Sequence, residues 1–277
     1  MIAKHLKAKT VDGLRPIALL NICYKVYARL LNTRVRKSLD AHQPPSQAGF
    51  RKGFSVDHHL LALTLLVERV HEYNLQLWAI SIDLSKAFGR VNWNKLWDAL
   101  HAQQLPEYLV SALQSIYSDQ MGVVKGSSND TSAPFPIQRG VKQGCPLSPG
   151  LFNAILQFVM ERWEHQIHQL GIGLNINEYH LSNLRFADDI LLLATSKDDV
   201  VCMLEILTLE LGEIGLILNT KKTKVLTTEV HDFNHIVLHD GSRIDVIPDF
   251  DCHRWLGKAI CFFKKFEANR GMSQVQR

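Results

Sequence analysis

The 277-residue chain has no apolar run approaching the roughly 20 residues that a membrane-spanning helix needs. Its longest strong run, Ile190 to Ala194, has the length of a strand. The N-terminus, MIAKHLKAKT, lacks the apolar stretch of a secretory signal. These absences predict an intracellular protein, of nucleus or cytoplasm, that is not secreted and has no membrane partner. Cysteine is sparse: Cys23, Cys145, Cys202, Cys252 and Cys261 are an odd count with no CxxC pair. That argues against a disulfide framework and a zinc ribbon, and fits a reducing compartment. There is no internal repeat and no low-complexity tract. Charged residues are 21%, the level of a folded globular chain rather than a disordered one.

What is present is unevenly distributed. The net charge of +4 conceals a segment 1–52 with 11 Lys and Arg against two acids, +9. Residues 254–277 add +5, and the middle, 53–253, stands at −10. Two basic ends around an acidic centre suit ends that face a polyanion and a centre that holds cations. On charge alone, a solvated surface with accidental asymmetry explains the pattern equally well.

Apolar spacing over 17–37 (Leu20, Val26, Leu30, Leu31, Val35) predicts a basic amphipathic helix beginning near Asn21. Residues 56–73 predict a second, with Leu60, Leu63, Leu65, Leu66 and Val70 as its stripe. Leu77 to Leu84 is nearly continuous apolar sequence ending on one acid, the pattern of a buried central strand. Helices are expected near 93–103 and 106–117, with Pro106 in the first turn of the second. A hairpin is expected within 121–137 and a long helix over 150–169, with Met160 and Trp163 in its core stripe. Residues 180–195 read as two apolar strands around Ala187-Asp188-Asp189. Ser196 and Asp199 have capping-box spacing before a helix ending near Gly215. Short strands near 224–228, 235–238 and 243–247 close the pattern. Without regular βαβ alternation the class is α+β. His58, His59, His231 and His235 have no trustworthy metal-ligand spacing and read as surface residues.

Asp83 ends a buried strand, and Asp188 and Asp189 sit at the tip of an apolar hairpin. Carboxylates among apolar residues are costly unless paired with cations or hydrogen-bonded. If the three strands are neighbours, the acids converge at one sheet edge and form an oxygen site for two divalent cations of the Mg²⁺ type. The plainer reading is that Asp188-Asp189 is a turn pair, since Asp favours turns.

The segments AISIDLSKAFGRVNW (79–93), RGVKQGCPLSP (139–149), RFADDILLLA (185–194), GLILNTKKTK (215–224) and RWLG (254–257) occur in this order. Together they resemble the ordered motifs of reverse transcriptases of the non-LTR retrotransposon type. LRPIALLNICYKVYARLLNTRV (14–35) and SQAGFRKG (46–53) resemble the fingers motifs of that family, and the resemblance spans about residues 12–260. It implies a right-hand polymerase fold: fingers over 1–76, and a palm of antiparallel sheet on helices over 77–230. Part of 104–138 would pack with the fingers. Residues 231–277 would be the end of the palm with a primer-grip-like segment and a truncated tail, the thumb missing. It also implies an RNA-directed DNA polymerase that adds deoxynucleotides to a primer 3′-hydroxyl, with an RNA template, a DNA primer, dNTPs and two Mg²⁺ ions (Mn²⁺ as substitute).

By the same resemblance, Asp83, Asp188 and the Leu84 carbonyl are metal ligands, and Asp189 supports the site. Lys222 matches a proton donor to the leaving pyrophosphate, although Lys221 and Lys224 crowd the match. Arg15 would clamp the triphosphate, with Lys25 a weaker candidate and Lys9 read as surface lysine. Phe88 occupies the steric-gate position that excludes a ribose 2′-hydroxyl. Gln143 and Gly144 match the loop that meets the incoming nucleotide. Trp255-Leu256-Gly257 resembles the primer grip, with Trp where Tyr is more usual and its ring packed behind the primer backbone. Departures from the family are Gly89 for Asp, Phe54 for Arg, and Gly150 at the start of a helix. They leave a second reading: an inactive retroelement remnant that keeps the fold and RNA binding. A nucleotide-cyclase-like palm lacks support, because its motifs would not include GVKQGCPLSP.

Overall fold

The computed structural model describes residues 2–3, 14–126 and 130–262. Lys9, the side chain of Arg15 and the tail beyond 262 lie outside the described residues. Strands β1 (Ile2–Ala3) and β2 (Leu14–Arg15) pair antiparallel before α1 (Ile22–Ala41) and α2 (Val56–Glu72). Strand β3 (Trp78–Ile82) precedes α3 (Ala87–Arg90), α4 (Trp93–Ala102) and α5 (Glu107–Tyr117). The ribbon β4 (Met121–Gly122) and β5 (Phe135–Pro136) leads to α6 (Ser148–Gln169). Two hairpins follow: β6 (Leu174–Ile176) with β7 (Tyr179–Leu181), and β8 (Asn183–Phe186) with β9 (Asp189–Ala194). Then come α7 (Lys197–Glu213), β10 (Lys224–Thr227), β11 (His235–Val237), β12 (Arg243–Val246), β13 (Cys252–Trp255) and β14 (Lys258–Cys261).

The chain forms two compact units and passes between them repeatedly. One holds the described residues up to Pro44, Lys86–Met160 and Leu211–Leu216; the other holds Pro45–Ser85, Glu161–Glu210 and those from Ile217 on. The second is built on a six-stranded sheet ordered β11-β12-β10-β3-β9-β8, antiparallel except for β10 with β12. All five residues of β3 are buried. One face of the sheet, with Ala79, Leu184, Leu191, Leu193 and Leu226, packs on Leu60, Leu63 and Val70 of α2 and on Trp255. On the other face, Asn183 and Arg185 reach Glu164 on α6. Trp163 donates from Nε1 to the Met203 carbonyl at 3.0 Å and so ties this part of α6 to α7.

The first unit is helical. Trp93 and Trp97 meet the buried ring of Tyr117 edge-on at 5.4 and 5.6 Å, which locks α4 to α5. Phe88 stacks on Phe152 of α6 at 4.6 Å. Helix α1 begins where its cap predicts, the Asn21 side chain accepting from Cys23 N at 2.8 Å.

The structure corrects several expectations. The buried stripe of α1 is Ala28, Leu31, Val35 and Leu39, whereas Val26 and Leu30 face solvent. Leu65 of α2 is also exposed. Pro106 caps α5 rather than sitting in its first turn. Gly150 does not delay α6, which begins at Ser148. A further hairpin, β13–β14, follows the last expected strand, and its register sets Cys252 opposite Cys261 in a disulfide. The cysteine count argued against a disulfide because count and CxxC spacing carry no information on strand register. His59 is buried, and the His231 side chain is buried against Asp249 at 3.1 Å, so neither is a surface residue. No helix among the described residues is long and apolar enough to cross a membrane.

Two neighbouring glycines have opposite surroundings. Gly140 has φ +88°, and a Cβ there would lie 2.8 Å from Gly89 main-chain atoms, whereas a Cβ on Gly89 meets nothing within 4 Å. Gly140→Ala is therefore expected to lower stability by about 1–3 kcal/mol. Gly89→Ala is expected to raise it by about 0.5–1 kcal/mol through the unfolded chain. Urea denaturation of the two variants checks the opposed signs.

Candidate active site

Strands β3 and β9 run antiparallel with Ile82 opposite Ile190, so Asp83 leaves β3 beside Asp189 and the hairpin tip. Phe186 pairs with Asp189, which leaves Ala187-Asp188 as a two-residue turn. The register therefore carries Asp83, Asp188 and Asp189 to the same end of neighbouring strands. The Asp83 carboxylate is 40% exposed and accepts from Asn219 Nδ2 at 2.8 Å. The Lys222 ammonium stands 4.0 Å from the same oxygen. Lys224 instead pairs with Asp245, so within the KKTK cluster Lys222 is the lysine paired with Asp83.

The main chain reinforces this edge. Asn219 N donates to the Asp83 carbonyl at 2.8 Å, and Ser85 N donates to the Ile217 carbonyl at 2.9 Å. Between them Leu84 bridges Leu218, and its own carbonyl is not spent in that bridge. Thr223 Oγ1 accepts from Asp83 N at 3.3 Å. Asn219 and Thr223 lie within the GLILNTKKTK segment, but nothing in their spacing announces contact with an acid 136 and 140 residues earlier.

The SQAGFRKG segment lies in the same unit as the sheet and runs along β8. Arg185 N donates to Ser46 O at 2.7 Å, and Ala48 N donates to Arg185 O at 2.8 Å, a parallel bridge that covers the edge strand. Gln47 is fully buried, and its Oε1 accepts from both Ala187 N and Gly49 N at 2.8 Å. Its Nε2 faces the Ala187 carbonyl at 3.4 Å. Ala187 has φ 58°, in the left-handed region. A Cβ on Gly49 would stand 2.2 Å from Ala187 N.

The fully buried Arg185 guanidinium reaches Glu164 at 3.4 Å and Ser46 Oγ at 3.2 Å. Burial pushes it down to about 10, partly offset by Glu164 and Glu161, so it stays charged at neutral pH. His59 Nε2 lies 2.9 Å from the Arg185 carbonyl, which the neutral ring satisfies by donating its Nε2–H. Burial holds His59 below its ordinary value.

The remaining predicted residues of this unit and the other have defined surroundings. Gly144, with φ +102°, brings its backbone so close to Ala18 that a Cβ would lie 3.2 Å from Ala18 O. Ala18 N donates to Gln143 O at 2.9 Å, which pins this loop to the segment that carries Arg15. Gln143 Oε1 is buried with no hydrogen-bond partner among the described residues. Lys142 sits over the Tyr24 ring at 4.6 Å, and burial lowers its amine. Leu256 and Gly257, both with positive φ, form the β13–β14 turn. The Trp255 ring is buried in the core below that turn, so the exposed part of the segment is backbone and not indole.

A family described as reverse transcriptase (RNA-dependent DNA polymerase) matches residues 4–257. The chain belongs to the reverse transcriptase family. Over 221 residues it is 27% identical to a Pol polyprotein of the type-2 retrotransposable element R2DM of Drosophila melanogaster, covering 80% of this chain and 20% of that protein. Over 193 residues it is 29% identical to the Pol polyprotein of the type-1 element R2 of Popillia japonica, covering 70% of this chain and 26% of the relative. The chain thus spans about a fifth to a quarter of these two curated relatives. Among solved structures, an apo telomerase of Candida tropicalis aligns with a TM-score of 0.58 at 16% identity over 78% of this chain and 43% of that one. The likeness shows the fold: a reverse-transcriptase fingers and palm of α+β class.

The buried His59 makes stability depend on pH. Its folded value lies below the unfolded one near 6.5, so the unfolded chain binds the proton more readily. Its contribution is present above the unfolded value and is lost as pH falls through the folded one. Thermal melts from pH 7.5 to 5 should show a steeper loss for the unaltered chain than for His59→Gln. Parallel curves would refute the burial argument.

Proposed function

We propose that the chain is the polymerising core of an RNA-directed DNA polymerase of non-LTR retrotransposon type, using an RNA template, a DNA primer and dNTPs. The observation that carries this reading is the strand register that brings Asp83, Asp188 and Asp189 to the same end of neighbouring strands, in a chain of the reverse transcriptase family.

The donor chemistry fits Mg²⁺, with Mn²⁺ as substitute. Asp83, Asp188 and the Leu84 carbonyl offer only oxygen. Among the described residues no group of three or more His, Cys, Asp or Glu is gathered for a metal. Mg²⁺ is usually held by one or two carboxylates with waters and substrate phosphates rather than by an all-protein cage. Two such ions, when bound, would polarise the primer hydroxyl and neutralise the departing phosphate. Asp189 supports the turn that carries Asp188.

The protein's own groups supply the rest. Lys222, an ammonium beside Asp83, gives its proton to the leaving pyrophosphate, a role worth about 10²–10⁴-fold for a well-placed general acid. Arg15 clamps the triphosphate with its planar fork. Phe88, held flat against Phe152, excludes a 2′-hydroxyl. Gln143, with an acceptor otherwise unmatched, and Gly144 meet the incoming nucleotide. The Trp255-Leu256-Gly257 turn grips the primer through its exposed backbone.

Primer extension on an RNA template with dNTPs and Mg²⁺ or Mn²⁺ tests the reading. Asp188→Asn is expected to lower extension by at least about 10³-fold, the loss of several kcal/mol of charge stabilisation. Extension by the unaltered chain no greater than by Asp188→Asn would overturn it. Retained RNA binding on a filter would then favour the remnant reading.

A further inference from the structure

Resting on the proposed role of Asp188, we infer that Gln47 is a positioning residue: its side-chain amide holds Ala187 in the left-handed conformation that aims Asp188. A two-residue hairpin turn of this kind needs positive φ at its first central position, which glycine, Asn or Asp fills most readily. Here that position is Ala187, with φ 58°. For a residue with a Cβ the left-handed region costs roughly 1–2 kcal/mol. Such strain persists only where the surroundings over-determine it.

The surroundings here include one buried side chain that bonds Ala187 twice. Gln47 Oε1 accepts from Ala187 N at 2.8 Å, and Gln47 Nε2 faces Ala187 O at 3.4 Å. One amide thus engages both polar groups of the strained residue. The amide is itself held, because Gly49 N donates to the same Oε1 at 2.8 Å and Arg51 donates to the Gln47 carbonyl at 2.8 Å. Gln47 is fully buried, so water does not substitute for these bonds. Gly49 must be glycine for the loop to approach: its Cβ would fall 2.2 Å from Ala187 N, inside any van der Waals contact. Ala187, whose main chain this clamp holds at both N and O, immediately precedes Asp188. No close relative substitutes cleanly: Asn is one carbon short, and Glu keeps the acceptor but sets a carboxylate against the Ala187 carbonyl.

The test uses the full chain carrying Gln47→Leu, Gln47→Glu or Gly49→Ala, each first shown to be folded by circular dichroism. Hydrogen exchange of the 185–189 backbone should speed up about 10-fold in Gln47→Leu, the scale of one lost net hydrogen bond. Mn²⁺ binding, read by electron paramagnetic resonance without nucleic acid, should weaken in the same variant. In primer extension kcat should fall about 10²-fold, as expected for a small misplacement of a reacting group. KM for dNTP should stay within about 3-fold, because Gln47 does not touch the nucleotide. Gln47→Glu should fall between, since it keeps the acceptor. If Gln47→Leu fails to fold, Gln47→Glu carries the comparison. Unchanged exchange and unchanged Mn²⁺ binding in a folded Gln47 variant would overturn the clamp. Faster exchange and weaker Mn²⁺ binding, in a chain whose unaltered form does not extend primers, would support the clamp and sink the polymerase reading alone.

Discussion

Strand β3 is buried throughout and bonded along both edges, and the site follows from that constraint. No charge can be placed within Trp78–Ile82 without a large desolvation cost. The first acid therefore stands at Asp83, where the strand ends. Because β9 and β10 both run antiparallel to β3, each brings the segment before it to that same end. From one side come Asp188 and Asp189; from the other come Asn219, Lys222 and Thr223. Three segments far apart in sequence meet because three strands share a register.

The buried Arg185 extends the logic to the sheet edge. A guanidinium removed from water gains back only part of its desolvation cost from carboxylate partners, and Glu164 is itself partly exposed. The pair is therefore a weak source of stability. What it provides is orientation. Arg185 is bonded through its side chain to Ser46 and Glu164, and through its backbone to Ser46, Ala48 and His59. Five contacts converge on the residue two positions before the turn. The edge strand that leads into the acidic turn is thereby held from α2, from α6 and from the 46–48 segment at once.

Much of this was legible in the sequence because it rests on local pattern. The apolar run before Asp83, the paired runs around Ala187-Asp188-Asp189 and the Asn21 and Ser196 caps all match observed elements. What escaped were facts of register and distance. Hairpin β13–β14 is mostly exposed, so its strands lack the alternation that marks a half-buried ribbon. Once Leu256-Gly257 is known to be its two-residue turn, Trp255 pairs with Lys258, and the count outward sets Cys252 opposite Cys261. His59 escaped for another reason. A polar residue on an otherwise apolar helix face looks like the face's limit, and the ring is inside because it bonds the Arg185 carbonyl as a second donor beside Ala48 N. Solvent-facing Val26 and Leu30 misled in the opposite sense, because α1 carries apolar residues on more than one side.

The choice of alanine in the turn and glycine in the loop is the inverse of what each local geometry prefers. Glycine at position 187 would adopt positive φ without strain, but it would also visit many other conformations and leave Asp188 less well defined. Alanine restricts those alternatives and relies on Gln47 to hold the one that remains. That support must approach through a backbone with no side chain, which is why the glycine stands at position 49. The conformational freedom of the pair is thus moved from the segment that carries the carboxylates to the segment that braces it. A turn that is strained yet bonded at both polar groups of its first residue has fewer low-energy alternatives than a relaxed one, and the Asp188 carboxylate that follows gains precision from that.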